Sequence, residues 1–471
     1  MTKVDMIVIG SGPGGQRAAV QAAKIGKSVV LVEKAKEVGG VSINTGTLPS
    51  KTLREAVVDL SGARERQLYG MMYRDNTVTP DSLLSRTRRV MAAERDVIRA
   101  QLHRNRVKLV HGLARFESPT KIGVGSETYE ADYIVIAVGT YPAVTPGITI
   151  DHETVLTSDD ILQLKRIPKN LIVAGAGVIG TEYATMFMEL GCEITLVDKR
   201  SVYLDMIDDE VRDAFQAHLR ERNVTFRMNE EVTRVEKIGP ERVIVHVKSG
   251  KRIAGDMLLV SSGRQGAVDG LQLEKAGLSA DARGKITVDG NYRTSVSNIY
   301  AVGDVIGAPQ LASTSAEQGR IAACHAFGIE AHSVPDLFPY GIYSIPEIAW
   351  VGPTEEDLTR RGIGYETGRA RYREIARGQI LGDDDGLLKI VFELHTRKLL
   401  AVWAMGTQAT EVVHVGQAVM AHNGTLDYFL SNVFNYPTLA ECYKVAALNG
   451  YNKLRGLIDL GPAPTTAEGA E

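Results

Sequence analysis

The feature that most constrains this chain is a phosphate-binding turn that occurs twice. In MIVIGSGPGGQRAAVQAAKIGKSVVLVEK an apolar run, Met6 to Ile9, leads into Gly10, Gly12 and Gly15, then a small-residue helix and a strand ending at Glu33. In NLIVAGAGVIGTEYATMFMELGCEITLVDKR the same order returns, with Gly175, Gly177, Gly180 and a strand ending at Asp198. Each terminal acid stands 23 residues past the first glycine of its unit. A continuous apolar run before such a turn reads as a parallel strand buried on both faces. The glycines permit a tight turn and close approach of a pyrophosphate, and the helix N-terminus offers unpaired N–H groups to it. The acid is placed to accept hydrogen bonds from ribose hydroxyls. One G-x-G-x-x-G alone is weak. Two complete units imply an α/β chain that binds two dinucleotides.

Composition narrows the classes. At ~150 residues per domain, 471 residues suggest about three domains. The formal net charge is -3, with 54 basic and 57 acidic residues, which provides no field for nucleic acid or anionic lipid. No apolar stretch approaches the ~18 residues of a membrane span, and no cleavable leader precedes the first strand, so no membrane association is expected. Cys192, Cys324 and Cys442 are far apart and match no metal spacing. They read as buried or idle thiols in a reducing, cytoplasmic setting, with no metal site.

Two further pieces carry information. NIYAVGDVIG reads as a short strand ending in Gly303 and Asp304 ahead of a helix. An acid there suits a polyol ligand or, equally, a helix cap. The loop GGVSINTGTLPSK, residues 39–51, is glycine-rich and runs into a helix start.

The order of these pieces, with AVGT at 137–140, AVGD ending at Asp304 and IPEIAWVG from 345, resembles the FAD-dependent pyridine nucleotide–disulfide oxidoreductases, relatives of glutathione reductase and lipoamide dehydrogenase. The resemblance spans nearly the whole chain. It implies two Rossmann-like dinucleotide-binding domains of glutathione reductase type and an α+β C-terminal dimerisation domain. The implied bounds are 1–148 and 265–333 for FAD, 149–264 for NAD(P), 334–455 for the interface and 456–471 for a disordered tail. The protein is then a homo-oligomer, at least a dimer. Cofactor contacts are implied at Gly10, Gly12, Pro13, Gly14, Gly15, Glu33 and Lys34, and at Gly40, Val41, Ser42, Gly46, Thr47 and Lys51 in the loop. Others fall on Ala114, Gly139, Thr140, Gly263, Arg264, Gly303, Asp304, Leu311 and Ala312. The second unit adds Gly175, Gly177, Val178, Ile179, Gly180, Glu182, Asp198, Lys199 and Arg200. Asp304 is the implied partner of the flavin ribityl chain. Lys51 and Glu182, the implied catalytic pair, match residues that meet near the flavin, although an ordinary ion pair between domains explains them too. Val178 alone reads as core.

The departures from the family are as informative. Its Cys-x-x-x-x-Cys pair falls on Ser42 and Thr47, and its C-terminal histidine falls on Tyr436 in NYPTLAE. Hydroxyls form no disulfide, and a phenol of pKa ~10 is a poor proton shuttle at neutral pH. The ring of Tyr436 is expected to fill the histidine's space and shield that side of the flavin. With no thiol exit, the simplest acceptor of electrons is a second nicotinamide. The expected activity is therefore a ping-pong hydride exchange, NADPH to NAD+ through FAD, at one nicotinamide site that accepts both NADP(H) and NAD(H). Asp198 favours a free 2′-hydroxyl, while Lys199 and Arg200 suit a 2′-phosphate or simply begin a solvated loop. The wording of TLPSKTLREAV, SIPE, RGQI and FNYPT resembles the family's soluble transhydrogenases, in which the position of Ser42 often keeps a cysteine. The competing readings are a diaphorase or quinone reductase using the same flavin, and a non-enzymatic flavoprotein dimer. The span SLLSRTRRVMAAERDVIRAQLHRNRV is expected to be an amphipathic surface helix with Leu84, Val90, Met91, Val97, Ile98 and Leu102 inward.

Overall fold

The computed structural model describes residues 1–62, 78–331 and 337–459. Three sheets organise it. In the first, parallel strands run in the order Lys108–His111, Val29–Glu33, Thr2–Ile9, Glu127–Ile136 and Ile299–Ala301. Met6, Ile7 and Val8 have no exposed surface, as a strand covered on both faces requires. The second sheet repeats the arrangement with Thr225–Met228, Glu193–Asp198, Asn170–Ala174, Met257–Val260 and Val155–Thr157, all parallel. The third is antiparallel, in the order Tyr340–Ile342, Glu347–Val351, Leu399–Gly406, Leu387–Glu393, Tyr365–Arg371. Helices Ala409–Ala421 and Glu441–Asp459 pack against it.

The first two sheets are joined by a two-stranded ribbon in which Thr140–Pro142 pairs antiparallel with Arg264–Gly266. The chain therefore leaves the first sheet and returns to it through neighbouring strands. Small residues set the helix spacing around the first turn. Helix Pro13–Lys24 lies on helix Ala312–Ala326, and a Cβ on Gly319 would stand 2.0 Å from the Gly14 carbonyl oxygen.

The expected surface helix forms as Pro80–Arg104, opened by a reciprocal Thr79–Ser82 capping box. Leu84, Ile98 and Leu102 are buried and Val90 and Met91 partly so, but Val97 is 54% exposed. It sits roughly 100° around the helix from Ile98, off the inward stripe. The last helix runs to Asp459, so residues 456–459 are helical rather than part of a disordered tail. The remainder of that tail, 460–471, lies outside the described residues. Among the described residues no helix is long and apolar enough to cross a membrane.

The second and third sheets are tied by a buried charge cluster. Lys389, with no exposed surface, donates to both carboxylate oxygens of Asp208 at 2.9 and 3.0 Å, reaches Glu210 at 3.3 Å and also bonds Glu355. Asp208 is itself buried and caps helix Asp209–Glu221 by accepting from the Glu210 and Val211 N–H groups.

Candidate functional site

A cavity of about 580 Å³ opens over the first glycine turn. Helix Pro13–Lys24 begins there at Gly12 with no side-chain cap, so its first N–H groups face the space unpaired. A Cβ on Gly12 would meet nothing within 4 Å, while one on Gly40 would stand 2.9 Å from the Gly12 Cα. The turn and the loop thus form a cradle open only to a ligand. A Cβ on Gly15 would stand 1.8 Å from the Gly10 carbonyl oxygen, so this glycine holds the helix against the strand rather than facing the cavity.

Most of the residues expected around FAD line this cavity: Gly10, Gly12, Pro13, Gly14, Glu33 and Lys34, then Gly40, Val41, Ser42 and Thr47, then Ala114, Gly139, Thr140, Gly303, Asp304 and Ala312. Gly46, Gly263, Arg264 and Leu311 do not line it. Leu311 precedes helix Ala312–Ala326 as its N-cap, and Arg264 donates to the Thr140 hydroxyl at 2.6 Å and to its carbonyl at 2.9 Å. The Thr140 hydroxyl in turn donates to Asp304 at 3.3 Å. Burial pushes the Asp304 carboxyl up, partly offset by the Arg264 charge and the Thr140 bond. Asp159, which no motif marks, lines the same cavity, and burial raises its carboxyl against the pull of Arg264.

The two terminal acids do the same local work. Glu33 accepts from the Ser11 N–H at 2.9 Å and the Ser11 hydroxyl at 2.6 Å. Asp198 accepts from the Ala176 N–H at 2.7 Å. Ser11 and Ala176 each follow the first glycine of their turn, so each acid pins its turn. Ser11 is therefore a site residue that the glycine pattern leaves unmarked.

At the second turn helix Val178–Glu189 begins at Gly177, again without a side-chain cap. Arg200 folds back onto Asp198, with Nε 3.0 Å from Oδ1 and a terminal amino group 2.8 Å from Oδ2, and it also reaches Asp205 at 3.2 Å. Burial alone would raise the Asp198 carboxyl, but the Arg200 and Ala176 bonds outweigh it and hold it below the ordinary value. The same guanidinium stands 3.7 Å from where a Gly177 Cβ would be, over the turn itself. Lys199 is exposed. Val178 and Ile179 are half-buried at the helix start, and a Cβ on Gly180 would fall 2.0 Å from the Gly175 carbonyl oxygen.

Lys51 and Glu182 meet. The Lys51 ammonium is 2.7 Å from both carboxylate oxygens of Glu182, which is almost fully buried. The Tyr343 N–H donates to the same carboxylate at 2.9 Å, and the Tyr343 ring lies 4.8 Å from the ammonium. All three sheets' elements thus converge on one charge pair, which lies beside the cavity rather than in its wall.

No cysteine lines the cavity; Cys192, Cys324 and Cys442 are free and buried elsewhere. The Ser42 hydroxyl donates to the Gly39 carbonyl at 3.1 Å. Tyr436 stands 69% exposed and does not line the cavity, so within one chain its ring does not fill the space beside Ser42 and Thr47.

A family model described as pyridine nucleotide-disulphide oxidoreductase matches residues 4–319, and one described as that family's dimerisation domain matches 338–447. The chain belongs to this family. Membership brings FAD dependence and nicotinamide nucleotides as substrates. A relative named soluble pyridine nucleotide transhydrogenase, from Mycobacterium bovis, is 52% identical over 97% of this chain and 99% of its own length. One of the same name from Yersinia enterocolitica is 43% identical over 96% and 98%. Among solved structures of the fold, LpdA from Mycobacterium tuberculosis superposes with a TM-score of 0.87 at 26% identity, covering 95% of this chain and 99% of that one. The flavoprotein disulfide reductase RclA from Escherichia coli gives 0.86 at 27% identity, over 94% and 99%. This is the family that the order of the glycine turns, AVGT, AVGD and IPEIAWVG resembled.

Proposed function

We propose that the chain exchanges hydride between NADPH and NAD+ through bound FAD. The observation that carries this reading is a complete pair of dinucleotide turns, the first of them opening onto a cavity lined by the hydroxyl residues Ser42 and Thr47 and by no cysteine. The shared name of the full-length relatives supports it. When bound, the flavin supplies a two-electron carrier for hydride.

The residues do the rest. The N-terminus of helix Pro13–Lys24 takes the pyrophosphate, Glu33 a ribose, and Asp304 the hydroxyl-bearing chain of the cofactor. Asp304, raised by burial, is suited both to accept and, when protonated, to donate there. The Lys51 ammonium is fixed by Glu182 and Tyr343. Its charge favours negative charge on the cofactor without reorganisation. No general base is required, because hydride rather than a proton passes between the rings.

The nucleotide pocket must then accept riboses with and without a phosphate. Asp198 and Arg200 provide this by exchanging partners. In the free pairing the Ala176 and Arg200 donors fill the Asp198 carboxylate. A ribose 2′-hydroxyl takes the place of one Arg200 bond on Asp198, whereas a 2′-phosphate draws Arg200 off Asp198 into a charge-assisted fork.

Domain bounds of 1–148 with 265–333, 149–264 and 334–455 are supported by sheet membership and by the ribbon at 140–142 and 264–266. Pairing of two copies through 334–455 is supported by exposed Val433, Tyr436, Tyr428 and Leu448 on that unit. Three free thiols are in keeping with the cytoplasm.

Anaerobic stopped-flow tests the activity. NADPH bleaches the flavin and NAD+ alone restores it; a flavin that NAD+ cannot reoxidise, but a quinone can, sinks the exchange reading. For the pocket, Lys199→Ala with Arg200→Ala is expected to slow reduction by NADPH at sub-saturating concentration roughly ten- to hundredfold, the worth of a charged hydrogen bond, while sparing NADH. Equal losses with both nucleotides would remove the 2′-phosphate assignment.

A further inference from the structure

Arg95 lies within helix Pro80–Arg104 and lines the cavity, as do Glu33 to Glu37 and Asn44. Its Nε donates to the Asn44 side-chain oxygen at 2.8 Å. Asn44 cannot turn away, because its amide nitrogen donates to the Val38 and Gly40 carbonyls at 3.1 and 2.8 Å. The nearest acid, Glu37, is 4.0 Å from the Arg95 Nε and is already bonded by Arg99 one turn further along the helix. Among the described residues the two terminal amino groups of Arg95 have no hydrogen-bond partner, although its side chain is only 22% exposed. A guanidinium held this firmly by one nitrogen, with its fork free in a cavity wall, is a ready donor pair for an oxyanion or a ribose oxygen.

We infer that Arg95 binds the ADP half of the FAD. The inference rests on FAD being the occupant of this cavity. The contacts of Arg95 decide which half. Arg95 meets Glu37 and Asn44 in the segment that follows Glu33, the acid suited to ribose, and this segment closes on the uncapped helix start through Gly40, whose Cβ would stand 2.9 Å from the Gly12 Cα. Helix Pro80–Arg104 is thereby more than an outer cover. Its Arg95–Asn44 and Arg99–Glu37 contacts clasp the loop that follows the second strand, and the bound nucleotide completes the clasp.

The test uses apoprotein stripped from the holoenzyme and titrated calorimetrically with FAD, ADP and FMN. Arg95→Met keeps the apolar stem and removes the fork. It is expected to weaken FAD and ADP roughly ten- to hundredfold with FMN affinity unchanged, and to lower the melting temperature of the apoprotein only slightly, by the loss of the Asn44 bond. Arg95→Lys, which keeps charge without the fork, recovers only part of the loss. Unchanged FAD and ADP affinities overturn the inference, as does an FMN loss equal to that of FAD, which would make Arg95 a general support of the cavity. Wild-type apoprotein that binds ADP through Arg95 but takes up no FAD would leave the nucleotide contact standing and remove FAD as the occupant.

Discussion

Gly15→Ala is expected to yield protein that purifies without flavin, whereas Gly180→Ala keeps its flavin but is no longer reduced by NADPH or NADH. Both glycines press a helix onto the carbonyl of the first glycine in their turn. An added Cβ would lie 1.8 Å from the Gly10 oxygen in one case and 2.0 Å from the Gly175 oxygen in the other. Neither obstacle is a flexible side chain, so the helix start must move, and with it the N–H groups that meet the phosphates. The first substitution also brings the new carbon 3.2 Å from the Ala137 Cβ, on the neighbouring strand end. Visible absorbance of the purified variants, followed by anaerobic reduction, separates the outcomes. A flavin-replete Gly15→Ala protein, or a Gly180→Ala protein reduced at the wild-type rate, would contradict the assignment of the two turns to different nucleotides.

Lys389→Met is expected to destabilise the fold by about 3–5 kcal/mol, the cost of stranding a buried charge. Methionine fills much of the volume but leaves Asp208, 1% exposed, without its cation. The sign with pH follows. Burial already raises the Asp208 carboxyl in the folded chain, with Lys389 pulling it back, and removing the lysine raises it further. A carboxyl whose folded pKa exceeds its unfolded value loses stability as pH rises between the two. The deficit of the variant relative to wild type is therefore expected to shrink from pH 7.5 toward pH 5. Denaturant unfolding at the two pH values measures it. A constant deficit would mean that the loss comes from packing and not from the stranded carboxylate. Asp208→Asn in the Lys389→Met background should restore much of the loss.

The parts of this molecule legible in the sequence are those written in local spacing. Each glycine turn, its helix and its terminal acid lie within one short βαβ unit, so residue order alone reports their geometry. The meeting of Lys51 with Glu182 was legible only through family resemblance, since 131 residues separate them. Arg95, Asp159 and Lys389 carry no local signature. Arg95 reads as one more basic residue on an amphipathic helix, and its significance arises only when the helix docks against the loop of Asn44. Lys389 sits in the strand LLKIVFE, where a lysine ordinarily marks the solvent side; Asp208 and Glu355, from distant segments, convert that position into an interior one. Val97 was misread in the other direction, because it lies roughly 100° around the helix from buried Ile98, on the solvent side of the stripe. Tyr436 was placed by analogy with the family's C-terminal histidine, and within one chain most of its surface stays exposed.

The ribbon of Thr140–Pro142 and Arg264–Gly266 has a consequence for the history of such a chain. Everything between those strands enters and leaves at one doorway, so a single recombination event can insert, replace or delete the whole segment while both flanks stay in register. The segment carries the same acid-to-turn contact as its host, Asp198 to the Ala176 N–H matching Glu33 to the Ser11 N–H. A nucleotide-binding unit copied into its own ancestor would have this form. Selection could then tune the inserted copy, through Asp198 and Arg200, for a different nucleotide without disturbing the one that stayed.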